Sequence, residues 1–479
     1  MDIRKSSIRL YADPKAVITM FLQLPGNSRV TNIINRVAVM DEKEVDHLYE
    51  KLMEDFGSRH REITKLFANH FDKINVDYIE KLHAFYPKKR LLLGAFFTKE
   101  YSIQSAALFN PSIVPHPDQQ GVKEGEQRFV MSLRATGEGH ISSIAFQTGI
   151  VTANGEVQLD AVSPYYTCLQ KNENAPYTKA FITKCTALVK DFKKELLDSL
   201  PDTFTANEAI AIIDKKFGTD ESMHSSIEKI KQSLDSNYEL EPSAHLPLNE
   251  RVLFPNAKAE SMGMEDVRFV EFNEGGKKCY YASYTAYNGR EIKSQLIQTD
   301  DFNVFKIRTM YGAAVSDKGM ALLPEKVNGK YVMISRQGGE KINIMYSDDL
   351  YRWDEYNVLL EPEYNWELVQ LGNCGSPIKT EKGWLLLTHG VGVMRTYVIS
   401  AILLDLNNPS IILARLDTPL IAADETEREG YVPNVVYTCG LLKHGRHLII
   451  PYAVSDSATG FASVELNALL NEMKPYKKN

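Results

Sequence analysis

The sequence predicts an all-β fold of the propeller type, with about five blades, an N-terminal helical extension and one helical insertion. Three observations predict it. Most of the chain reads as short alternating strands separated by Asn-Gly and Gly-Gly turns. After residue 265 groups of four such strands recur roughly every 50 residues, a spacing that suits blades better than a sandwich or a βαβ array. Helical periodicity is confined to two blocks, one near the start and one at about 175–240.

Residues 1–95 form the extension, and 96–479 the propeller that the insertion interrupts. The apolar run Ala16 to Leu22 ends at Pro25-Gly26 with no small-residue cleavage site after it, which favours a short buried strand over a signal peptide. In "DEKEVDHLYEKLMEDF" Val45, Leu48, Tyr49, Leu52, Met53 and Phe56 make a helical stripe, with Asp41 as N-cap and Glu44 completing a capping box. Ile63, Leu66, Phe67, Phe71 and Ile74 make a second. These helices read as packing surfaces or as the contact of a homo-oligomer. In the insertion, Phe181, Cys185, Leu188, Phe192 and Leu196 form one stripe, and Met223, Ile227, Ile230 and Leu234 another. The strands include "RFVMSLRA", "ISSIAFQTGIV", "KKCYYASYTAYN", "KYVMISR", "GWLLLTHG", "TYVISAILLD" and "HLIIPYAVS".

Composition narrows the function. The 479 residues carry a formal charge of −7, against a broad nucleic-acid footprint. Five scattered cysteines with no CxxC pair read as reduced thiols, and no run of about 18 apolar residues spans a membrane. The expectation is a cytoplasmic protein with no nucleic-acid or membrane partner.

A propeller gathers polar residues where its inner strands face the central channel. Acids are poor strand formers, yet Glu265 and Asp266 open the strand-like run "VRFVEF". Asn110, Arg134, Lys318, Arg336, His389 and Asp456 likewise stand at the edges of apolar strands, so the set is a candidate for one concave site. Each also has a plain reading: a solvated rim cation, a turn histidine, an acid pair in a turn or on calcium. No second ligand cluster has metal spacing, so no metal is expected.

These residues lie in stretches that resemble a known family. "ESMGMEDVRF" resembles the G-x-E-D-P-R signature of glycoside hydrolase family 130, the β-mannoside phosphorylases and β-mannosidases. "LLPEKVNGKYVMISR", "YSDDLYRW", "LGNCGSPIKTEKGWLLLTHGV", "EREGYVPNVVYTCG" and "YAVSD" resemble further family blocks in order, covering roughly residues 100 to 465 apart from the insertion.

The resemblance implies a five-bladed β-propeller whose funnel binds a β-mannoside. It implies Asp266 as general acid, protonated near neutral pH. Glu265, Asn110, Arg134, Gln370 and Asp456 would contact sugar, and Lys318, Arg336, His389 and Tyr397 would bind phosphate. Phosphate is then co-substrate, no further cofactor is needed, and the product is α-D-mannose 1-phosphate, with β-1,2 linkages favoured over β-1,4. Val267 replaces the signature proline, and Gln370 stands where phosphorylases often have lysine. An inverting β-mannosidase would instead need a second carboxylate to activate water, for which Glu367 and Glu427 are the candidates. Trp366 and Tyr364 are an aromatic platform or core. A non-catalytic carbohydrate-binding propeller is the third reading.

Overall fold

The computed structural model describes residues 1–74, 82, 84–187, 189–242 and 245–477; Leu188 of the insertion stripe lies outside the described residues. From Thr98 onward the chain is dominated by β-sheet. The largest sheet has twelve strands, but its strands Ser142–Val151 and Gly263–Glu274 meet at one pair, Ser142 opposite Gly263.

Divided at that seam, the sheets form five antiparallel units in chain order. The first holds Ala107–Pro115, Gln127–Thr136 and Ser142–Val151. Gly263–Glu274, Lys277–Tyr287, Ile292–Thr299 and Phe305–Thr309 make the second. Its first hairpin closes on Gly275-Gly276, both at positive φ, which a two-residue turn between twisted strands requires. The third runs from Ala321–Leu322 to Asn357–Leu360, and the fourth is centred on Trp384–Val391 and Tyr397–Leu404. In the fifth, Val436–Tyr437, His447–Val454 and Ala458–Glu465 pair in turn.

Apolar clusters join each unit to the next. Val130 and Phe146 of the first pack with Phe269 and Tyr280 of the second. Phe272 and Leu296 meet Met333 and Trp353 of the third, and Val332 and Ile344 meet Trp384 and Leu404 of the fourth. Leu387 and Ile399 meet Ile450 and Val464 of the fifth. A last cluster sets Ile449 and Phe461 against Phe129 and Met131 of the first.

The N-terminal boundary differs from expectation. Ile3–Tyr11 is not part of a separate extension but the edge strand of the fifth unit, with Ile3 opposite Val464 and Tyr11 opposite Ala458. Ile8 and Leu10 pack against the Phe129 and Phe461 cluster. Lys5 and Arg9 bind Glu427 at 2.5 and 2.9 Å. Val17–Phe21 is the short strand expected, paired with Thr98–Ser102. Between them stand helices Asn27–Ala38, Glu42–Phe56, Ile63–Asp72 and Pro87–Phe96. Asp41 caps the second of these, accepting from the Glu44 amide at 2.9 Å.

The insertion leaves the sheet at Gln170–Lys171 and returns at Tyr238–Glu241, where Leu240 lies opposite Lys171. It carries helices Lys179–Thr186, Ala206–Phe217 and His224–Ser236. Phe181 and Leu196 do not share one helix: the first ends at Thr186, and a four-residue helix, Glu195–Asp198, follows after turns.

Candidate active site

Three acidic or amide residues reach the site through unusual backbone. The strand Ala107–Pro115 shifts register between Phe109 and Ser112, and Gly263–Glu274 shifts between Glu265 and Arg268. Asn110 and Asp266 lie at these bulges with φ of 48° and 53°. Asp456, in the turn between His447–Val454 and Ala458–Glu465, has φ of 49°. Left-handed backbone is costly for most side chains and least so for Asn and Asp. A bulge turns one side chain out of the pleat, so acids open an otherwise apolar strand because that strand kinks there to present them.

The three converge on a cavity of about 330 Å³. Arg134, Lys318, Arg336, Gln370, His389 and Tyr397 also line it, so nine of the ten residues singled out by sequence share one space. Glu265, the tenth, stands behind them, accepting from Arg134 at 2.6 Å and pairing with Lys318 at 3.5 Å. Three lining residues escaped the sequence reading: Arg395, Val435 and Tyr437. So did Arg268, which is buried behind the cavity, donating to the Asp266 carbonyl and to the Tyr437 hydroxyl, each at 2.7 Å. The final R of "EDVR" was the available signal for Arg268.

Asp266 Oδ1 accepts from Asn110 at 2.7 Å and from Arg134 at 3.1 Å. Burial opposes its charge, but Arg134, Arg268, Lys318 and the Asn110 bond together hold its carboxyl well below the usual range. Among these partners Asp266 is a carboxylate near neutral pH, where the resemblance implies a protonated acid. Asp456 behaves oppositely: burial, with the charge of Asp266, pushes it up to about 6 against the pull of Arg134 and Arg395.

His389 is fully buried. Burial, with Arg336 and Arg268 nearby, drives its pKa well down, so it is neutral. Its Nε2 lies 3.2 Å from both Arg336 Nη1 and Gln370 Nε2, and accepts from these donors. It is thus a positioner of Arg336 rather than a cation. Tyr397 stacks on its ring at 5.8 Å, and the Arg395 guanidinium sits 5.5 Å over Tyr397. Gly319 follows Lys318 at φ +89°; a Cβ there would come within 2.9 Å of Arg336 Nε, so the glycine leaves room for the Arg336 side chain, which donates to the Lys318 carbonyl at 3.3 Å.

The two glutamates considered as bases for water are elsewhere. Glu367 is buried and accepts from Arg415 and from the Glu363 and Tyr364 amides. Arg415 also lies 4.3 Å over the Tyr364 ring, which stacks on Trp366. Glu427 is held by Lys5, Arg9 and Tyr452. Neither glutamate and neither ring lines the cavity. Held by these partners outside the cavity, both glutamates serve the packing of the fold.

Residues 220–475 match the family model of glycoside hydrolase family 130, described as beta-1,4-mannooligosaccharide phosphorylase. The chain belongs to that family. A 1,2-beta-oligomannan phosphorylase of Thermoanaerobacter sp. is 34% identical over 46% of this chain and 74% of its own length. A beta-1,2-mannobiose phosphorylase of Listeria innocua is 31% identical over 49% of this family 130 chain and 67% of its own. For a beta-1,4-mannooligosaccharide phosphorylase of Ruminococcus albus the identity is 31%, over 32% and 50%. The solved Listeria innocua beta-1,2-mannobiose phosphorylase superimposes with a TM-score of 0.47 at 21% identity, covering 77% of this chain and 92% of that one.

Proposed function

We propose that this family 130 protein is an inverting phosphorylase. It cleaves β-mannosides with inorganic phosphate, releasing α-D-mannose 1-phosphate, on a closed five-bladed β-propeller. Ring closure is supported by the five apolar clusters, the last of which returns to the first unit. It is also supported by a second cavity of about 260 Å³. Val114, Phe269, Pro324, Ile378 and Leu442 there continue the same five segments that line the first cavity.

The carrying observation is the wall of Lys318, Arg336 and Arg395 around the cavity that holds Asp266. Fixed cations suit an anionic nucleophile. Water needs a base instead, and the two glutamates weighed for that task are locked elsewhere. Neutral His389 fixes Arg336, and Tyr397 closes the pocket beside Arg395. Asn110, Arg134, Glu265, Gln370 and Asp456 hold the sugar directly or through one another.

Phosphate brings negative charge to the cations that keep Asp266 ionised, so its arrival raises the proton affinity of Asp266. The acid is then loaded when the nucleophile is in place. A phosphate oxygen attacks C1, the C1–O bond breaks, and the proton of Asp266 passes to the leaving oxygen through a mannosyl hydroxyl, leaving the carboxylate. Attack on the face opposite the leaving group gives the α-phosphate.

The relatives covering nearly half the chain carry β-1,2 names, which supports that linkage over β-1,4. No cofactor beyond co-substrate phosphate is assigned. Residues 12–95 are an N-terminal module whose helices offer a homo-oligomer contact. The protein acts in the cytoplasm without nucleic-acid or membrane partners; no described helix is long and apolar enough to cross a membrane. The test is cleavage of β-1,2- and β-1,4-mannobiose with and without phosphate, reading mannose 1-phosphate. Free mannose at full rate without phosphate would instead make the protein a hydrolase.

A further inference from the structure

A larger cavity than the central one lies at the edge of the described structure's insertion. It measures about 710 Å³, more than twice the 330 Å³ of the Asp266 site, and lies where the insertion meets the second and third sheet units. Five aromatic rings line it: Phe181 from the insertion helix Lys179–Thr186, Tyr281, Tyr311, Tyr331 and Tyr351. Such a volume lies in the range of ligand sites, roughly 300–1,000 Å³.

Polar groups are fixed among the rings. Lys184 of the insertion bonds Asp349 of the third unit at 2.7 Å, and the Tyr311 hydroxyl donates to the same carboxylate at 3.3 Å. The Tyr351 amide holds its other oxygen at 3.0 Å. Phe181 meets Tyr351 edge-on at 5.9 Å, so the insertion wall is bound to the sheet by both a charge pair and a ring contact. Asp348 is 83% exposed at the rim, with Lys330 at 3.6 Å.

An apolar ligand would strip water from Asp348, Asp349 and Lys184 without replacing it. A phosphate-like anion would meet two carboxylates and little free positive charge. The combination suits a neutral molecule with apolar C–H faces for the rings and hydroxyls on its edges for the carboxylates and the lysine. Saccharides have that chemistry.

We infer that this cavity is a second carbohydrate site, which holds a β-mannooligosaccharide chain separately from the catalytic cavity, and that forming it is a task of the insertion. The choice of mannoside rests on the proposed function; the cavity and its chemistry do not. A separate hold on long chains raises their local concentration near the catalytic cavity.

The experiment compares the parent protein with Tyr351→Ala and with Asp348→Ala, whose exposed side chain is safe to remove. Calorimetry with β-1,2-mannohexaose, without phosphate, is expected to give two sites for the parent, the second of them weakened ~3–10-fold in Tyr351→Ala. Turnover is expected to show a KM for mannohexaose raised ~3–10-fold in Tyr351→Ala, one aromatic contact's worth, with KM for mannobiose unchanged. Asp348→Ala should shift the second site in the same direction. One binding site in the parent, or equal effects on both substrates, would overturn the inference. Failure of the parent to cleave mannobiose under any condition speaks against the phosphorylase reading alone, because the two-site titration reads the second cavity independently.

Discussion

Replacing Asp456 with asparagine should stabilise the protein at alkaline pH while impairing its activity. Asparagine keeps the volume and tolerates the φ of 49° at this position. In the native state burial and the neighbouring Asp266 charge raise the Asp456 pKa from 3.8 to about 6. Each tenfold change in proton affinity is about 1.4 kcal/mol, so the ionised carboxyl costs the fold about 3 kcal/mol. The sign follows from linkage. Below pH ~4 the group is protonated in both states and costs nothing. Between about 4 and 6 the unfolded chain ionises first, and native stability is lost as pH rises. Above about 6 the loss is complete. Urea unfolding of parent and Asp456→Asn at pH 8 and pH 5 should therefore give an advantage to the variant of about 3 kcal/mol at pH 8, falling to about half at pH 5. Equal advantages at both pH values, or none at either, would refute the assignment of a strained carboxylate opposite Asp266.

Asp266→Asn is expected to lower turnover by about 10²–10⁴-fold, the usual worth of a general acid, without weakening phosphate binding, because it removes a negative charge from the site; initial rates and phosphate calorimetry check both. Lys318→Ala should raise KM for phosphate by ~10–100-fold, the loss of one charge-assisted contact, with a smaller change in KM for mannobiose. Glu427→Ala should destabilise the fold by about 3–5 kcal/mol, since it breaks a buried charge cluster, while kcat per folded molecule stays constant; a selective loss of kcat would return Glu427 to the reaction.

Much of the site was legible because the features that build it are local. Polar residues such as Asn110, inside Ala107–Pro115, and Glu265-Asp266, inside Gly263–Glu274, break an apolar alternation that is otherwise regular, and such breaks are visible in one dimension. The capping box at Asp41 and Glu44 and the stripe from Ile227 to Leu234 are local for the same reason. Protonation states were not legible. Sequence places His389 among the phosphate contacts and Asp266 as a protonated acid, but burial and the three-dimensional placement of Arg134, Arg268 and Arg336 make the histidine neutral and the aspartate ionised. Arg395 was missed because it sits in a short turn, Val393–Arg395, with no flanking pattern to mark it. Ile3–Tyr11 was missed because its partner lies at the other end of the chain, where no window of sequence can see it.

That pairing sets a clock on synthesis. Val464 follows Ile3 by 461 residues (464 − 3), about 20–90 s at ribosomal rates of roughly 5–20 residues per second. Through that interval a nine-residue strand has no strand partner, and unpaired strands are templates for aggregation. Its sequence, "IRKSSIRLY", carries Arg4, Lys5 and Arg9, charges that discourage pairing with other chains. Two of them, Lys5 and Arg9, end on Glu427 when the fifth unit forms. The residues that keep the waiting strand solitary are thus the ones that fasten it, and that latch can close only after the C-terminal sheet has been made.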